Sequence, residues 1–379
     1  MVPPTSMAAP PRSMLVGSGW HAPLFRSEAG SFAEIQDVIH PRVVIVAGIP
    51  DISESSLIDR LLYPFCKSNE RPSAELVASW FNENYPEVDQ TVMVRVHRLG
   101  FVEDNTTKLL EREVGGLLHN QGRLIDLEKP DLTLMIHPCG PATEPMHPES
   151  ESFNEHGWVW GIVNQEGQGG GPFASRAATD RAYFRPVSLD PRLARTMVNL
   201  TRFLGKPPEQ IFDPFCGTGG ILIEAATSGI RVYGSDLDAR MVEGTRQNLE
   251  QIKVDSSLYE LFTHDATQLE GLWNKMESSA FVFDPPYGRN SWSDGEGMNL
   301  IQRTVQSCQS ICIGCFVILL PISPDIADLI RAGKTIQALD GEDEMFSRFL
   351  DEQNLRIDVA HPIHVHRSLA RLLLRLQPN

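Results

Sequence analysis

The chain has 379 residues, 41% hydrophobic and 22% charged, with a formal net charge of −16. That length predicts two or three domains, and that balance excludes an unfolded polyelectrolyte. No run of about eighteen apolar residues occurs, which excludes a membrane-spanning helix. The opening MVPPTSMAAPPRSMLVGSG lacks the basic start and continuous apolar stretch of a secretory signal, and reads as an unstructured leader or an early start. Six irregularly spaced cysteines (Cys66, Cys139, Cys216, Cys308, Cys312, Cys315) make no disulfide framework and predict reduced thiols in a cytoplasmic protein. The negative charge weighs against a nucleic-acid partner, although net charge reports on the whole surface and not on one patch. The acidic residues are spread along the chain, with a local group at Glu342, Asp343 and Glu344.

In chain order, Ser55–Pro64 predicts a helix with Leu57, Leu61 and Leu62 on one face, and Ser73–Tyr85 a second helix carrying Leu76, Val77 and Trp80. Thr91–His97 alternates as a half-buried strand, with Val92, Val94 and Val96 facing one way and Met93, Arg95 and His97 the other. Lys108–His119 is an amphipathic helix through Leu110, Val114, Leu117 and Leu118, stopped at Asn120–Gly122, and two short strands flank Pro130. Together these make a small α+β module. From Pro138 to Gly171 the chain is rich in Pro, Gly, Glu and Ser, with GQGGG at 167–171, and reads as a flexible connection. Trp158 and Trp160 suggest one more short strand within it.

Beyond Ala182 strands and helices alternate. Helices are expected at Pro191–Leu204, 220–228, 238–252 and near 298–310, and strands at 211–213, 231–236, near 261–263, 280–284 and 311–320. That order calls for a parallel sheet covered by helices on both faces.

The stretch IFDPFCGTGGILIEAA (211–226) runs from a short apolar strand ending at Asp213 through Gly217, Gly219 and Gly220 into a helix. Such turns bring backbone close to a ligand at the carboxyl end of a sheet, although a glycine loop alone is weak, because dinucleotide sites use a similar device. The next strand ends at Asp236, where a carboxylate can accept both ribose hydroxyls of a nucleoside. Asp265, after the strand that follows, is placed to meet an adenine amine. Any one of these aspartates reads equally as a helix cap; three at successive strand ends read as a nucleoside site.

FVFDPPYG (281–288) closes the fourth strand, across the sheet's switch point from the glycine loop. An exocyclic amine on a base is a poor nucleophile, because its lone pair is delocalised into the ring. Asp284 and the Pro285 carbonyl can accept that amine's hydrogens and turn the lone pair outward. Pro285 and Pro286 fix the backbone, so the acceptors reorganise little as positive charge develops. Tyr287 offers a ring on which an extruded base can stack.

With these residues in view, DPFCGTGG, the strand end at Asp236 and FDPPYG resemble the amino-methyltransferases of the class I Rossmann-like fold. RPVSLDPRLARTMVNLTRFLG (185–205), GSDLDARMVEGTRQNL (234–249), DPPYGR and VHRSLARLLLRL resemble more closely the archaeal and eukaryotic tRNA guanine-N2 methyltransferases acting at position 10. Upstream, VRVHRLG and EREVGGLLHNQGRLIDLEKPDLTLMI (within 94–136) resemble a THUMP domain, which in that family engages the tRNA acceptor end. The resemblance implies S-adenosyl-L-methionine as methyl donor, held by Asp213, Cys216, Gly217, Thr218, Gly219, Asp236 and Asp265, with catalysis by Asp284, Pro285, Pro286 and Tyr287. It implies an α/β fold: a leader and α+β subdomain at 1–65, a THUMP-like RNA-binding domain at 66–140, a linker at 141–180 and a Rossmann-like methyltransferase domain at 181–379. It also implies tRNA as partner, with a small activating subunit in the eukaryotic type and none in the archaeal. Residues 1–65 show no clear counterpart in the family.

Other candidates are set aside. Cys308, Cys312 and Cys315 straddle a helix end and an apolar strand, where cysteine serves as a small hydrophobe, and no metal site is expected. Of His361, His364 and His366 only the last two share a face, with no further ligand nearby. Cys216 is assigned to packing, because amine methylation needs no covalent intermediate. Arg95, His97 and Arg98 read as a solvated face or an RNA contact. N6-adenine DNA methylation and protein glutamine methylation use the same Asp-Pro-Pro-Tyr chemistry but have no use for a THUMP-like module. An RNA-binding scaffold with a vestigial catalytic domain conflicts with two intact motifs.

Overall fold

A computed structural model describes residues 11–102, 107–141, 157–167, 173, 176–186, 188–273, 279–286, 296–340, 344–366 and 369–379. Tyr287, Glu342, Asp343 and residues 168–171 of the glycine run lie outside them. The chain divides into two compact units, Met1–Ser53 with Leu57–Gly169, and Glu54–Ser56 with Gly170–Asn379.

The first unit runs β1 (Arg12–Gly17), α1 (Ala22–Phe32), β2 (Ile35–His40), β3 (Val43–Ala47), β4 (Ile58–Ser68), α2 (Ala74–Asn84), β5 (Thr91–Val96), α3 (Thr107–Asn120), β6 (Leu124–Ile125), β7 (Leu132–Cys139) and β8 (Gly157–Glu166). All eight strands join one sheet in the order β2-β3-β1-β4-β8-β7-β5-β6. β5 runs parallel to both β6 and β7, and the other pairs are antiparallel. Ser73 caps α2 by accepting the Leu76 amide, and the helix buries Ala74, Val77, Ala78 and Phe81. Its apolar stripe therefore runs one residue off the expected one, leaving Leu76 52% exposed. α3 buries Leu110, Val114 and Leu118 as its spacing predicts.

The helix expected over Ser55–Pro64 is instead the start of β4. The pairing of β4 with β8 shifts register between Leu61 and Leu62 and again between Leu62 and Phe65. β4 is an inner strand, and its consecutive Leu61 and Leu62, opposite Leu15 and Met14 of β1, are both fully buried, which breaks the alternation of a half-buried strand and imitates helical spacing. β4 also runs across the expected boundary at 65/66. β8, inside the stretch read as a linker, is a ten-residue strand paired on both sides.

The second unit runs α4 (Pro191–Asn199), β9 (Gln210–Asp213), α5 (Gly220–Thr227), β10 (Arg231–Asp236), α6 (Ala239–Gln251), β11 (Tyr259–Thr263), β12 (Ser279–Phe283), α7 (Glu296–Gln309), β13 (Cys315–Ile322), α8 (Pro324–Arg331), α9 (Thr335–Asp340), α10 (Met345–Glu352), β14 (Leu355–His366) and β15 (Leu369–Pro378). The seven strands form a sheet in the order β11-β10-β9-β12-β13-β15-β14. The first five are parallel and β15 is antiparallel to both neighbours, the layout of a Rossmann-like methyltransferase sheet. Strand order reverses between β9 and β12, so a crevice is expected at their carboxyl ends. α4 starts on Pro191 with Asp190 accepting the Arg192 and Leu193 amides, and it ends five residues earlier than expected, before the left-handed backbone of Leu204 and Gly205. β13 likewise begins at Cys315, four residues later than expected. Phe212, Tyr233, Trp273, Phe281 and Phe316 form an aromatic core, with Phe212 stacked on Tyr233 at 4.7 Å and Phe281 on Phe316 at 4.9 Å.

Candidate active site

β9, β10, β11 and β12 deliver Asp213, Asp236, Asp265 and Asp284 to the carboxyl ends of adjacent strands, as their order in the sheet requires. Asp213 is buried and accepts the Phe215 amide at 3.0 Å, which starts the turn toward α5. Burial, then the nearby charges of Asp236 and Asp284, push its carboxyl well above the usual carboxylate range.

The loop that follows is held from both sides. The Cys216 amide donates to the Ser235 carbonyl at 2.9 Å, and the Gly217 amide to Oδ2 of Asp236 at 3.0 Å. From α6, Thr245 Oγ1 donates to the Gly217 carbonyl at 2.8 Å and Asn248 Nδ2 to the Thr218 carbonyl at 2.9 Å, while Thr218 Oγ1 lies 3.0 Å from Ser188 Oγ. Gly219 has φ +81°, and a Cβ there would stand 2.8 Å from Thr245 Cγ2, so both conformation and space demand glycine. At Gly217 the nearest atom to such a Cβ is 3.9 Å away, an open ledge that backbone presents directly. Phe215 packs on Phe283 with ring centroids 5.6 Å apart, which ties the loop to the strand bearing Asp284.

Asp236 takes the Asp238 amide on Oδ1 and the Gly217 amide on Oδ2, so backbone fixes its orientation while each oxygen keeps a further lone pair. Asp265 accepts the amide and hydroxyl of Thr267, both at 2.8 Å; the amide bond is the main reason its carboxyl is held below the usual range. The Cys216 thiol is buried and faces Asp213 and Asp236. Burial first, then those two charges, push it well up, so it stays protonated and is no nucleophile.

Asp284 ends β12 with a side chain 16% exposed, and Arg371 Nη1 of β15 lies 3.3 Å from its Oδ2. Burial pushes the carboxyl up to about 6 against the opposing pull of Arg371. Pro285 is buried and Pro286 exposed; Tyr287 lies outside the described residues. The arrangement fits a cationic nucleoside: carboxylates gather at one sheet edge beside an open backbone ledge.

Several contributors have no local sequence signal. Thr245 and Asn248 are buried polar residues three apart on α6, a pattern that could have flagged them. Arg371 is 87 residues from its partner. Gly244 lets Tyr183 lie against α6, since a Cβ would stand 2.1 Å from its ring. α5 is anchored by Glu224, fully buried, which accepts from Arg176 (2.9 and 3.0 Å) and from Arg195 (3.0 Å). Arg195 also pairs with Glu54 and Ser228.

In the first unit, Val96, His97, Arg98, Thr107, Lys108, Glu111 and Arg112 line an open cavity of about 570 Å³. Glu111 is occupied by the Val96 amide at 3.0 Å and Arg95 at 3.3 Å. The His97 carbonyl lies 2.7 Å from Nδ1 of His137. Burial, reinforced by Arg42 and Arg60, lowers the His97 imidazole, so the positive charge lining the cavity comes from Arg98, Lys108 and Arg112.

The family described as "RMKL-like, methyltransferase domain" matches residues 179–346. The tRNA (guanine(10)-N2)-dimethyltransferase of Pyrococcus abyssi is 36% identical over 222 residues, 59% of this chain and 60% of that protein. The protein of the same name from Methanothermobacter thermautotrophicus is 33% identical over 294 residues, 76% of this chain and 73% of that protein. Among solved structures, TrmN from Thermus thermophilus covers 97% of this chain and 100% of its own at 18% identity, with a TM-score of 0.45.

Proposed function

The chain belongs to the tRNA (guanine(10)-N2)-dimethyltransferase family, and from that premise we propose that it transfers methyl groups from S-adenosyl-L-methionine to the exocyclic N2 of guanosine 10 in tRNA. The observation that carries the reading is a half-buried carboxylate, Asp284, followed by two prolines, at the switch point beside an ordered glycine loop.

Bound there, S-adenosyl-L-methionine supplies a methyl group made electrophilic by its sulfonium. In this reading Asp236 accepts the ribose hydroxyls, Asp265 the adenine amine, and the backbone of Cys216, Gly217, Thr218 and Gly219 lines the donor. Asp213 acts through the loop it shapes. Asp284 and the Pro285 carbonyl accept the hydrogens of the guanine amine, so its lone pair is turned outward and the developing positive charge meets a fixed acceptor. Pro286 holds that backbone, and Tyr287 is assigned to stacking on the base. Because the amine must meet an ionised acceptor, transfer rises with pH through the Asp284 titration at about 6.

The region 66–140 is assigned as a THUMP-like RNA-binding module, with the Arg98, Lys108 and Arg112 cavity as its phosphate contact. A local cationic patch of this kind reconciles an RNA substrate with a chain carrying a net charge of −16. The reading keeps a small activating subunit for a protein of the eukaryotic type and none for the archaeal, and a cytoplasmic reaction. Among the described residues no helix is long and apolar enough to cross a membrane.

The test is methyl transfer from labelled donor to an unmodified tRNA transcript, followed by nucleoside analysis. N2-methylguanosine or its dimethyl form at position 10, lost in Asp284→Ala with donor affinity retained, is the expected result. A bound donor with no transfer to tRNA would overturn it.

A further inference from the structure

We propose that Arg371 is a positioning residue for methyl transfer: reaching across from β15, it fixes the Asp284 carboxylate and balances its charge at the strand end where the amine is received. The inference rests on the function proposed above and goes beyond it, since Arg371 belongs to no motif of the donor or catalytic segments.

The placement follows from the sheet. β12 and β13 are parallel with Phe283 opposite Ile318, and β13 and β15 are antiparallel with Pro321 opposite Arg371. Arg371 thus stands three residues beyond Phe283's partner along β13, past the end of β12 where Asp284 lies. Both side chains are largely withdrawn from water, 17% exposed for Arg371 and 16% for Asp284, with Nη1 3.3 Å from Oδ2. A carboxylate in such a place stays charged only with a partner, because desolvation favours the neutral acid.

Asp213, at the end of β9, is a charged neighbour among the described residues, and its own carboxyl is pushed up in part by Asp236 on β10 and by Asp284. Burial opposes ionisation of Asp284, and Arg371 favours it. A neutral Asp284 would offer one oxygen as a donor and compete with the amine hydrogens it is meant to accept. Arg371 therefore acts through Asp284 and need not touch the base or the methyl donor.

The alternative is that the pair only staples β15 to the sheet, and the two roles separate by pH. The experiment compares wild type, Arg371→Lys and Arg371→Met with three readouts: single-turnover methyl transfer to tRNA across pH, donor affinity by calorimetry, and the carboxyl titration of Asp284. The last uses carbon-13 labelled aspartate, with the resonance assigned through Asp284→Asn. Positioning predicts that the acid limb of the rate profile and the carboxyl midpoint both move upward in Arg371→Met, by about half a pH unit or more. Arg371→Lys, which keeps the charge without the guanidinium's reach, falls between, and donor affinity stays within about twofold. If Arg371→Met is too unstable to titrate, the smaller shift in Arg371→Lys carries the same test. Midpoints and limbs that coincide in all three proteins, whatever the loss of rate, would overturn the proposal. A wild-type protein that leaves tRNA unmethylated would overturn the proposed function instead, and the carboxyl titration would still decide whether Arg371 governs Asp284.

Discussion

Replacing Asp284 by asparagine removes an ionisable group while keeping its shape, and the structure implies that the folded protein gains stability as it loses activity. The carboxyl's ordinary value of 3.8 is pushed up to about 6 in the fold, with burial as the main cause. Between those values the folded state binds more protons than the unfolded chain, so this group makes wild type less stable as pH rises through the window, and the penalty is constant above it. At about 1.4 kcal/mol per pH unit, the full penalty is on the order of 3 kcal/mol near pH 8 and roughly 1 kcal/mol near pH 4.5. Asparagine mimics the protonated acid, which also leaves Arg371 facing a neutral partner, so the Asp284→Asn variant should exceed wild type by about those amounts.

Two compact units need not unfold together, so the assay must report on the second. Cys308, fully buried in that unit's core, serves: its modification by a pyridyl disulfide, which reacts at both pH values, can be followed along a urea gradient by mass spectrometry of the peptide that carries it, apart from the other five free cysteines. A stability difference that does not change with pH, or an Asp284→Asn protein weaker than wild type near pH 8, would show that desolvation of Asp284 is not what sets its titration.

Three further outcomes follow from the geometry. Gly217 and Gly219 both have positive φ, but only at Gly219 does a Cβ also collide with Thr245, so Gly219→Ala should lower the thermal midpoint more than Gly217→Ala; equal losses would contradict the steric account, which predicts a cost of about 1–3 kcal/mol at Gly219. Glu224→Gln removes the buried charge that Arg176 and Arg195 share and should cost about 3 kcal/mol in urea unfolding, clearly more than loss of the exposed Arg240–Asp238 pair. Charge reversal at Lys108 and Arg112 should weaken tRNA binding and flatten its salt dependence by about one unit of slope for each phosphate no longer neutralised, with donor affinity unchanged; an unaltered slope in a binding assay would remove the cavity from the interface.

The donor loop and Asp284 could be read from sequence because their chemistry sits in short contiguous runs whose spacing matches one strand and one turn. Asp213 and Asp236 close their strands, and Asp284 and Asp265 follow theirs within two residues, and the period of the flanking apolar residues locates those strand ends. Arg371 could not be read this way: it meets Asp284 only because an antiparallel strand returns from the end of the chain beside β13. The same limit hid Glu224 and Arg195, whose pairing depends on how α4 and α5 pack. In the first unit Ser55–Pro64 imitates a helix because β4 is an inner strand that buries consecutive Leu61 and Leu62. β8 was obscured by the Pro- and Gly-rich sequence before it, although Trp158 and Trp160 marked its start.

The position of β8 has a consequence for how the protein is made. It lies between β4 and β7, and it is the strand that joins β2-β3-β1-β4 to β7-β5-β6. Its partner β4 ends at Ser68, and β8 begins at Gly157, so a nascent chain carries two partial sheets with unpaired inner edges until residues far downstream leave the ribosome. Exposed strand edges invite pairing with other chains, and closure over so long a sequence separation is slow. Glu166 must therefore emerge from the ribosome before the first unit can close, and a release or cleavage before Gly157 would leave both edges open to aggregation.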